Sequence, residues 1–483
     1  MSNKEHFDIL VIGSGPGGQK AAVQGAKAGK KVGLVERDRH VGGACVHRGT
    51  IPSKTLREAA LTIMRLKQGV KAFNFQLRDD VTVSEMMSKM DTVLINHRDC
   101  IATQLKNNGI DYLHGRAQLT GRHECIVQTV TGECRQIHAD SIVIATGSRP
   151  RIPPDIPVDH ENILDSDSIL SIAYIPRSLT VLGGGVIACE YASIFSMLGS
   201  QVTIIDRAPR PLMFLDKELT GKFLDNFTRH GGRYLGLQDI DSVTWDGAAQ
   251  VITRLESGEM VSSDKMLVAL GRLANTERLG LENAGVETSE RGHILVDEHY
   301  QTSTRGIYAV GDVIGPPALA SCSMEQGRRA ICHALDMDPG HAFELVPMGI
   351  YAVPEIASVG LNESQAKEKY GEIVVGRARF EEIARGLISG SQDGLLKIIA
   401  DAEGKKILGV QIVGDGATDL IHVGEMALLN HNDVSIFHEN ILNFPTYGEA
   451  YRVAALNVQN LAREKARKKA TAVKEPEPAG VTA

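Results

Sequence analysis

No run of 18 or more apolar residues occurs in this 483-residue chain, so no membrane-spanning helix is expected. A basic-then-apolar leader is also missing. The apolar run at residues 9–12 is short and leads into glycines, so no signal peptide is expected. Cysteine is scarce. Seven cysteines at irregular spacing make neither a disulfide framework nor a zinc pattern. Reduced thiols in a cytoplasm are the expectation. Positive charge is not in excess either: the formal net charge is -7, which argues against a general nucleic-acid binder. The length suggests about three domains.

Glycine, by contrast, is concentrated where it means something. Phe7 to Ile12 is apolar nearly throughout and reads as a buried parallel strand. Gly13, Gly15 and Gly18 follow, then an alanine-rich helical segment, then a strand at Val32 to Val35 that ends on Glu36. This is GxGxxG in the context that makes it a dinucleotide fingerprint. Gly13 permits the tight turn, Gly15 lets backbone approach a pyrophosphate, and Gly18 lets helix pack on strand. The helix N-terminus offers N–H groups to phosphate, and Glu36 is placed to accept from ribose hydroxyls.

The pattern then recurs. A strand at Ser178 to Leu182 leads into Gly183, Gly185 and Ala188, a helix to Leu198, and a strand at Val202 to Ile205 that ends at Asp206. From first glycine to acid is 23 positions in both copies, 13 to 36 and 183 to 206. Two dinucleotide sites are expected. Asp206 should bond the ribose hydroxyls of a dinucleotide and repel a 2′-phosphate, while Arg207 and Arg210 would attract such a phosphate.

Between the two copies, Gly42 to Lys54 reads GGACVHRGTIPSK. It resembles the redox-active segment of the flavin-dependent disulfide reductases, which include dihydrolipoyl dehydrogenase and glutathione reductase. That family has Cys-x4-Cys before Ile-Pro-Ser-Lys. Here Cys45 is kept and Thr50 stands at the second cysteine, so no local disulfide can form. Near the other end, Asn443 to Glu449 (NFPTYGE) is similar to the family's His-Pro-Thr-x-x-Glu. Phe444 takes the place of the histidine that serves as acid-base partner of the thiol.

The resemblance implies an α/β fold with two Rossmann-like dinucleotide-binding domains and a C-terminal α+β dimerisation domain. The expected division is 1–152 and 274–344 for an FAD domain, 153–273 for an NAD(P) domain, 345–463 for dimerisation, and 464–483 for a disordered tail. It places FAD on the N-terminal copy and a nicotinamide dinucleotide on the second. Gly147 (in IVIATGS) and Gly311 with Asp312 (in GIYAVGDV) would complete the flavin site. Residues 318–329 would form a helix whose N-terminus favours charge on the reduced ring. Lys54 would lie beside the hydride-accepting flavin nitrogen, paired with Glu190. Residues 111–140 read as a β-meander, with Cys125 and Cys134 as small apolar fillers.

Both departures close the same half-reaction. Hydride that enters from one nicotinamide dinucleotide is then expected to leave to another with ping-pong kinetics. The resemblance implies that the pair is NADPH and NAD+, and that the enzyme is a cytoplasmic homodimer or larger homo-oligomer, acting on dinucleotides and on no nucleic acid or membrane. Cys45 would be a relic. Three readings compete: a flavoprotein oxidase, peroxidase or diaphorase in which Cys45 cycles through sulfenic acid, a lipoyl dehydrogenase using another thiol such as Cys189, and a flavin-bearing sensor or assembly subunit with no turnover, against which the intact second fingerprint argues.

Overall fold

The computed structural model describes residues 4–73, 83–341 and 345–472. The chain divides into two units, Met1–Gly183 with Ile240–Ala342, and Gly184–Asp239 with Phe343–Ala483.

In the first unit, the strand Glu5–Ile12 pairs in parallel with Val32–Glu36 on one side and Cys134–Ile144 on the other. Val32–Glu36 pairs onward with Asp111–Gly121, and Ile307–Ala309 adds to Cys134–Ile144. Alternate residues of the first strand feed different cores. Ile9 and Val11 pack with Ala21, Ala22 and Ile331 of covering helices, while Leu10 and Ile12 pack with Leu119, Val127 and Ile142. Burial on both faces is why the strand reads as a continuous apolar run rather than an alternating one. The helices Pro16–Lys27 and Ala320–Ala334 meet closely: a Cβ on Gly327 would lie 2.1 Å from the Gly17 carbonyl.

The meander is present as Asp111–Gly121, Glu124–Thr129 and Cys134–Ile144, paired antiparallel. Cys125 is 2% exposed, as a filler should be. Cys134 is exposed instead, because it opens the last strand beside the turn 130–133. Two helices follow the redox segment, Thr50–Phe73 and Val83–Asn107, with 74–82 outside the described residues. The strand Ser148–Pro150 pairs with Arg272–Ala274, so the chain returns beside Gly147.

In the second unit, a five-stranded antiparallel sheet runs in the order Met348–Ile350, Ile356–Gly360, Ile407–Val413, Leu395–Asp401, Ile373–Arg379. Tyr451, Ala454 and Val458 of the helix Glu449–Ala472 pack in its core. That helix corrects the expected tail. Residues 464–472 continue it, tied down by Lys465 Nζ donating to the Ile373 carbonyl at 2.8 Å and by Lys469 paired with Glu372 at 2.6 Å. Residues 473–483 lie outside the described residues.

Candidate functional site

The two glycine turns match in geometry as well as in spacing. Gly13 and Gly183 both have φ of +103°. A Cβ on Gly13 would stand 2.4 Å from the Ala145 carbonyl, and one on Gly183 2.7 Å from that of Ala269. Any L side chain there is excluded twice, by φ and by space. Gly15 and Gly185 are the opposite case. Each has open space where a Cβ would point, and each caps a helix with no side chain satisfying its first N–H groups. Open space before unsatisfied amides suits an anionic group of a dinucleotide. Gly18 is packed tightly, its Cβ position 1.9 Å from the Gly13 carbonyl, which locks helix to turn.

The acids after each second strand differ in their surroundings. Glu36 is buried. Its Oε2 accepts from the Ser14 amide at 2.9 Å and the Ser14 hydroxyl at 2.6 Å. At the corresponding place in the second copy stands Gly184, and a Cβ there would lie 2.2 Å from Asp206 Oδ2. Asp206 accepts instead from the Tyr234 hydroxyl at 3.4 Å. Burial first, then the Asp206 charge, pushes the Tyr234 phenol well above its ordinary pKa, so it remains a donor. The middle residue of each GxG was the overlooked signal: serine holds one acid, and glycine makes room for the other.

Arg207 and Arg210 separate clearly. The Arg210 guanidinium donates to the carbonyls of Leu212, Met213 and Leu215 and to the Thr220 hydroxyl, at 2.9 to 3.3 Å. Its donors hold its own loop, which corrects the expectation that it attracts phosphate. The Arg207 side chain is 82% exposed and pairs with Asp239.

At the redox segment, Gly43–His47 forms a short helix and Thr50 opens the next. The Thr50 hydroxyl and the Lys54 and Asp312 charges are all close enough to act on the Cys45 thiol. Burial raises the Cys45 pKa, and the Thr50 hydroxyl and the Lys54 charge only partly oppose this. The sulfur is therefore held as a thiol rather than the nucleophilic thiolate. Lys54 Nζ also lies 3.4 Å from the Ser53 hydroxyl. Asp312, on the turn Gly311–Ile314, accepts from the Ser148 hydroxyl at 2.6 Å. Ser148 in turn accepts from Arg272 Nε at 2.7 Å. The Gly311 amide, at φ +78°, donates to Gln326 at 2.8 Å. Gly147 has φ +68° and accepts from the Asn275 amide at 2.9 Å. Ser148, Arg272 and Gln326 escaped the sequence reading because their partners are more than ten residues away.

A cavity of about 220 Å³ opens beside Gly13, lined by Val35, Arg37, Gly115, Ala117 and Thr146. It adjoins the first glycine turn, where the adenosine end of a dinucleotide would lie.

In the second unit, Glu190 accepts from the Tyr351 amide at 2.9 Å. Cys189 is fully buried, and burial pushes its thiol far above the ordinary range, so it is no substitute nucleophile. Phe444 is 66% exposed, and neighbouring Ile441 is completely exposed.

Comparison with known proteins accords with this geometry. The model of the pyridine nucleotide-disulphide oxidoreductases matches residues 7–327, and that of their dimerisation domain matches 346–455. The chain is 40% identical over 459 residues to a soluble pyridine nucleotide transhydrogenase of Mycobacterium bovis, covering 95% of this chain and 98% of that one. A soluble pyridine nucleotide transhydrogenase of Photorhabdus laumondii is 41% identical over 468 residues, covering 94% and 98%. Among solved structures, LpdA of Mycobacterium tuberculosis is 26% identical with a TM-score of 0.86, covering 94% of this chain and 99% of that one. With matched glycine turns, a redox segment and a C-terminal sheet all in place, this chain belongs to the pyridine nucleotide-disulphide oxidoreductase family.

Proposed function

We propose that this protein is an FAD-dependent transhydrogenase that moves hydride from NADPH to NAD+ with ping-pong kinetics. The carrying observation is the Cys45–Thr50 pair. The helical frame that would bring two sulfurs together brings a thiol and a hydroxyl together instead. A hydroxyl cannot close a disulfide, so the route to a dithiol substrate is missing. The relatives named soluble pyridine nucleotide transhydrogenase support the same reading.

FAD, when bound, supplies a ring that stores and returns two electrons. Gly13, Gly15 and Gly18 would seat its pyrophosphate, and Glu36 its adenosine ribose. Gly147, Gly311 and Asp312 would close over its middle. Open space at Gly15 and the cavity beside Gly13 fit such a group. Lys54 would place positive charge at the reacting ring. Gly183 and Gly185 would hold the visiting nicotinamide dinucleotide, with Asp206 on the ribose hydroxyls and Arg207 on a 2′-phosphate. One site serving both dinucleotides in turn is what makes the kinetics ping-pong. The dimerisation domain supports a homo-oligomer, and the relatives' names support a cytoplasmic enzyme.

The test is NADPH-dependent reduction of a thio-analogue of NAD+ by the purified flavoprotein, with lipoamide and glutathione disulfide as alternative acceptors. Parallel initial-rate lines and idle disulfides are expected. Rapid disulfide reduction without exchange between the dinucleotides would reject the proposal.

A further inference from the structure

Well away from the glycine turns, histidines gather where the first strand begins. His6 lies on Glu5–Ile12, opposite His138 of Cys134–Ile144 in parallel register, and Glu124 lies opposite His138 on its other side. Gly13 is seven residues farther along, roughly 23 Å at the usual strand rise. This cluster is therefore separate from the dinucleotide site.

His6 Nε2 stands 3.2 Å from Asp140 Oδ1, and His138 Nε2 stands 4.0 Å from the same oxygen. The two imidazoles are stacked with centroids 5.4 Å apart. One ligand atom from each of His6, His138 and Asp140 lies within 4.8 Å of the others. Glu124 Oε1 is 2.9 Å from His138 Nδ1, and its other oxygen meets Lys4 Nζ at 2.5 Å. Held in this way, Glu124 fixes the Nδ1 side of His138 while the Nε2 side faces the Asp140 carboxylate. A carboxylate behind an imidazole is how metal-binding histidines are oriented.

We propose that His6, His138 and Asp140 bind a borderline divalent cation of the zinc class, with Glu124 as the orienting group and water completing the tetrahedron. Bonds of about 2.0–2.1 Å in tetrahedral geometry separate neighbouring ligand atoms by about 3.3 Å. The His6–Asp140 separation already meets this. The His138–Asp140 separation must shorten by less than an ångström, which side chains 37% and 59% exposed can do. Two imidazoles and one carboxylate favour zinc, nickel or copper over magnesium or calcium. The ion would tie the start of the first strand to the meander.

Exposed Cys100 and Cys134 also attract zinc, so the test uses the flavin-loaded full chain with both replaced by serine. After chelator treatment, calorimetric titration with zinc chloride is expected to show one equivalent bound at micromolar concentration. His6→Gln with His138→Gln should weaken binding at least tenfold, and Glu124→Gln about tenfold. Copper bound at this site should show imidazole nitrogen couplings by electron paramagnetic resonance, lost in the double variant. Binding no tighter than millimolar, or equal binding by parent and double variant, would overturn the site.

Discussion

Cofactor choice in the second glycine turn comes down to single side chains. Asp206 rests against Gly184 and the Tyr234 hydroxyl, and Arg207 reaches into solvent, paired with Asp239. An exposed ion pair of this kind contributes about 0–1 kcal/mol, so a phosphate can take the guanidinium at little cost. A charge-assisted hydrogen bond to that phosphate is worth about 1.5–3 kcal/mol. Arg207→Ala should therefore raise KM for NADPH about 10- to 100-fold and leave KM for NADH within about twofold. Equal losses for both, in initial-rate measurements, would remove Arg207 from the phosphate. Arg210→Ala should instead lower stability, since four loop contacts depend on it. Cys45 makes the contrary case. Burial keeps it a thiol and Thr50 offers it no second sulfur. Cys45→Ser should keep transhydrogenation within about twofold of the parent, and peroxide-dependent NADH consumption should be absent from both. A collapse of turnover would restore Cys45 to the reaction.

Among the secondary-structure elements, the helix Lys217–Arg229 shows how a buried charge can organise a segment. Its N-cap Asp216 accepts from the Glu218 amide at 2.9 Å. Lys397, on the strand Leu395–Asp401, has no exposed surface and meets Asp216, Glu218 and Glu363 at 2.9, 3.0 and 2.6 Å. Arg377 also reaches Glu218 and Glu363. Removing one partner of a buried ion pair typically costs about 3–5 kcal/mol, because the remaining charges stay desolvated. Lys397→Met should lose stability of that order in urea unfolding. Its pH dependence has a definite sign. Burial alone would raise the Glu218 pKa, but Lys397 and Arg377 outweigh it and hold the carboxyl below its usual value. A lowered carboxyl pKa stabilises the fold above the ordinary glutamate range, about 4.3, and that contribution is lost as pH falls through the lowered value. Acid unfolding of Lys397→Met should accordingly be less steep than that of the parent. An unchanged acid limb would remove the network from the account. The first glycine turn tests a second element. With a Cβ 1.9 Å from the Gly13 carbonyl, Gly18→Ala must push helix from strand. It should purify with little flavin absorbance.

For the whole molecule, the exposed apolar side chains of the second unit matter. Ile388, Ile441 and Phe444 are 65%, 100% and 66% exposed. Isolated exposed apolar residues are ordinary, but these belong to a chain with a matched dimerisation domain. Light scattering should give at least a dimer, and Ile441→Asp should shift the population toward monomer. An unshifted mass would place the interface elsewhere.

Some of this was legible in the residues themselves. The paired fingerprints could be read because each is local: strand, turn and helix are contiguous, and only glycine tolerates φ of +103° against a carbonyl. The losses at Thr50 and Phe444 were equally plain, since a missing sulfur or imidazole needs no coordinates to notice. Other features depended on partners distant in the chain. Arg207 and Arg210 look alike in a row of letters, and only folding turns one into a loop brace. Cys125 and Cys134 were given one role and took two, because exposure is set by neighbouring strands. Lys397 sits in an apolar run where nothing nearby announces three carboxylates. Backbone conformation and chemical capacity reside in the residue, whereas burial and partnership arise only when distant segments meet, and tertiary structure alone decides them.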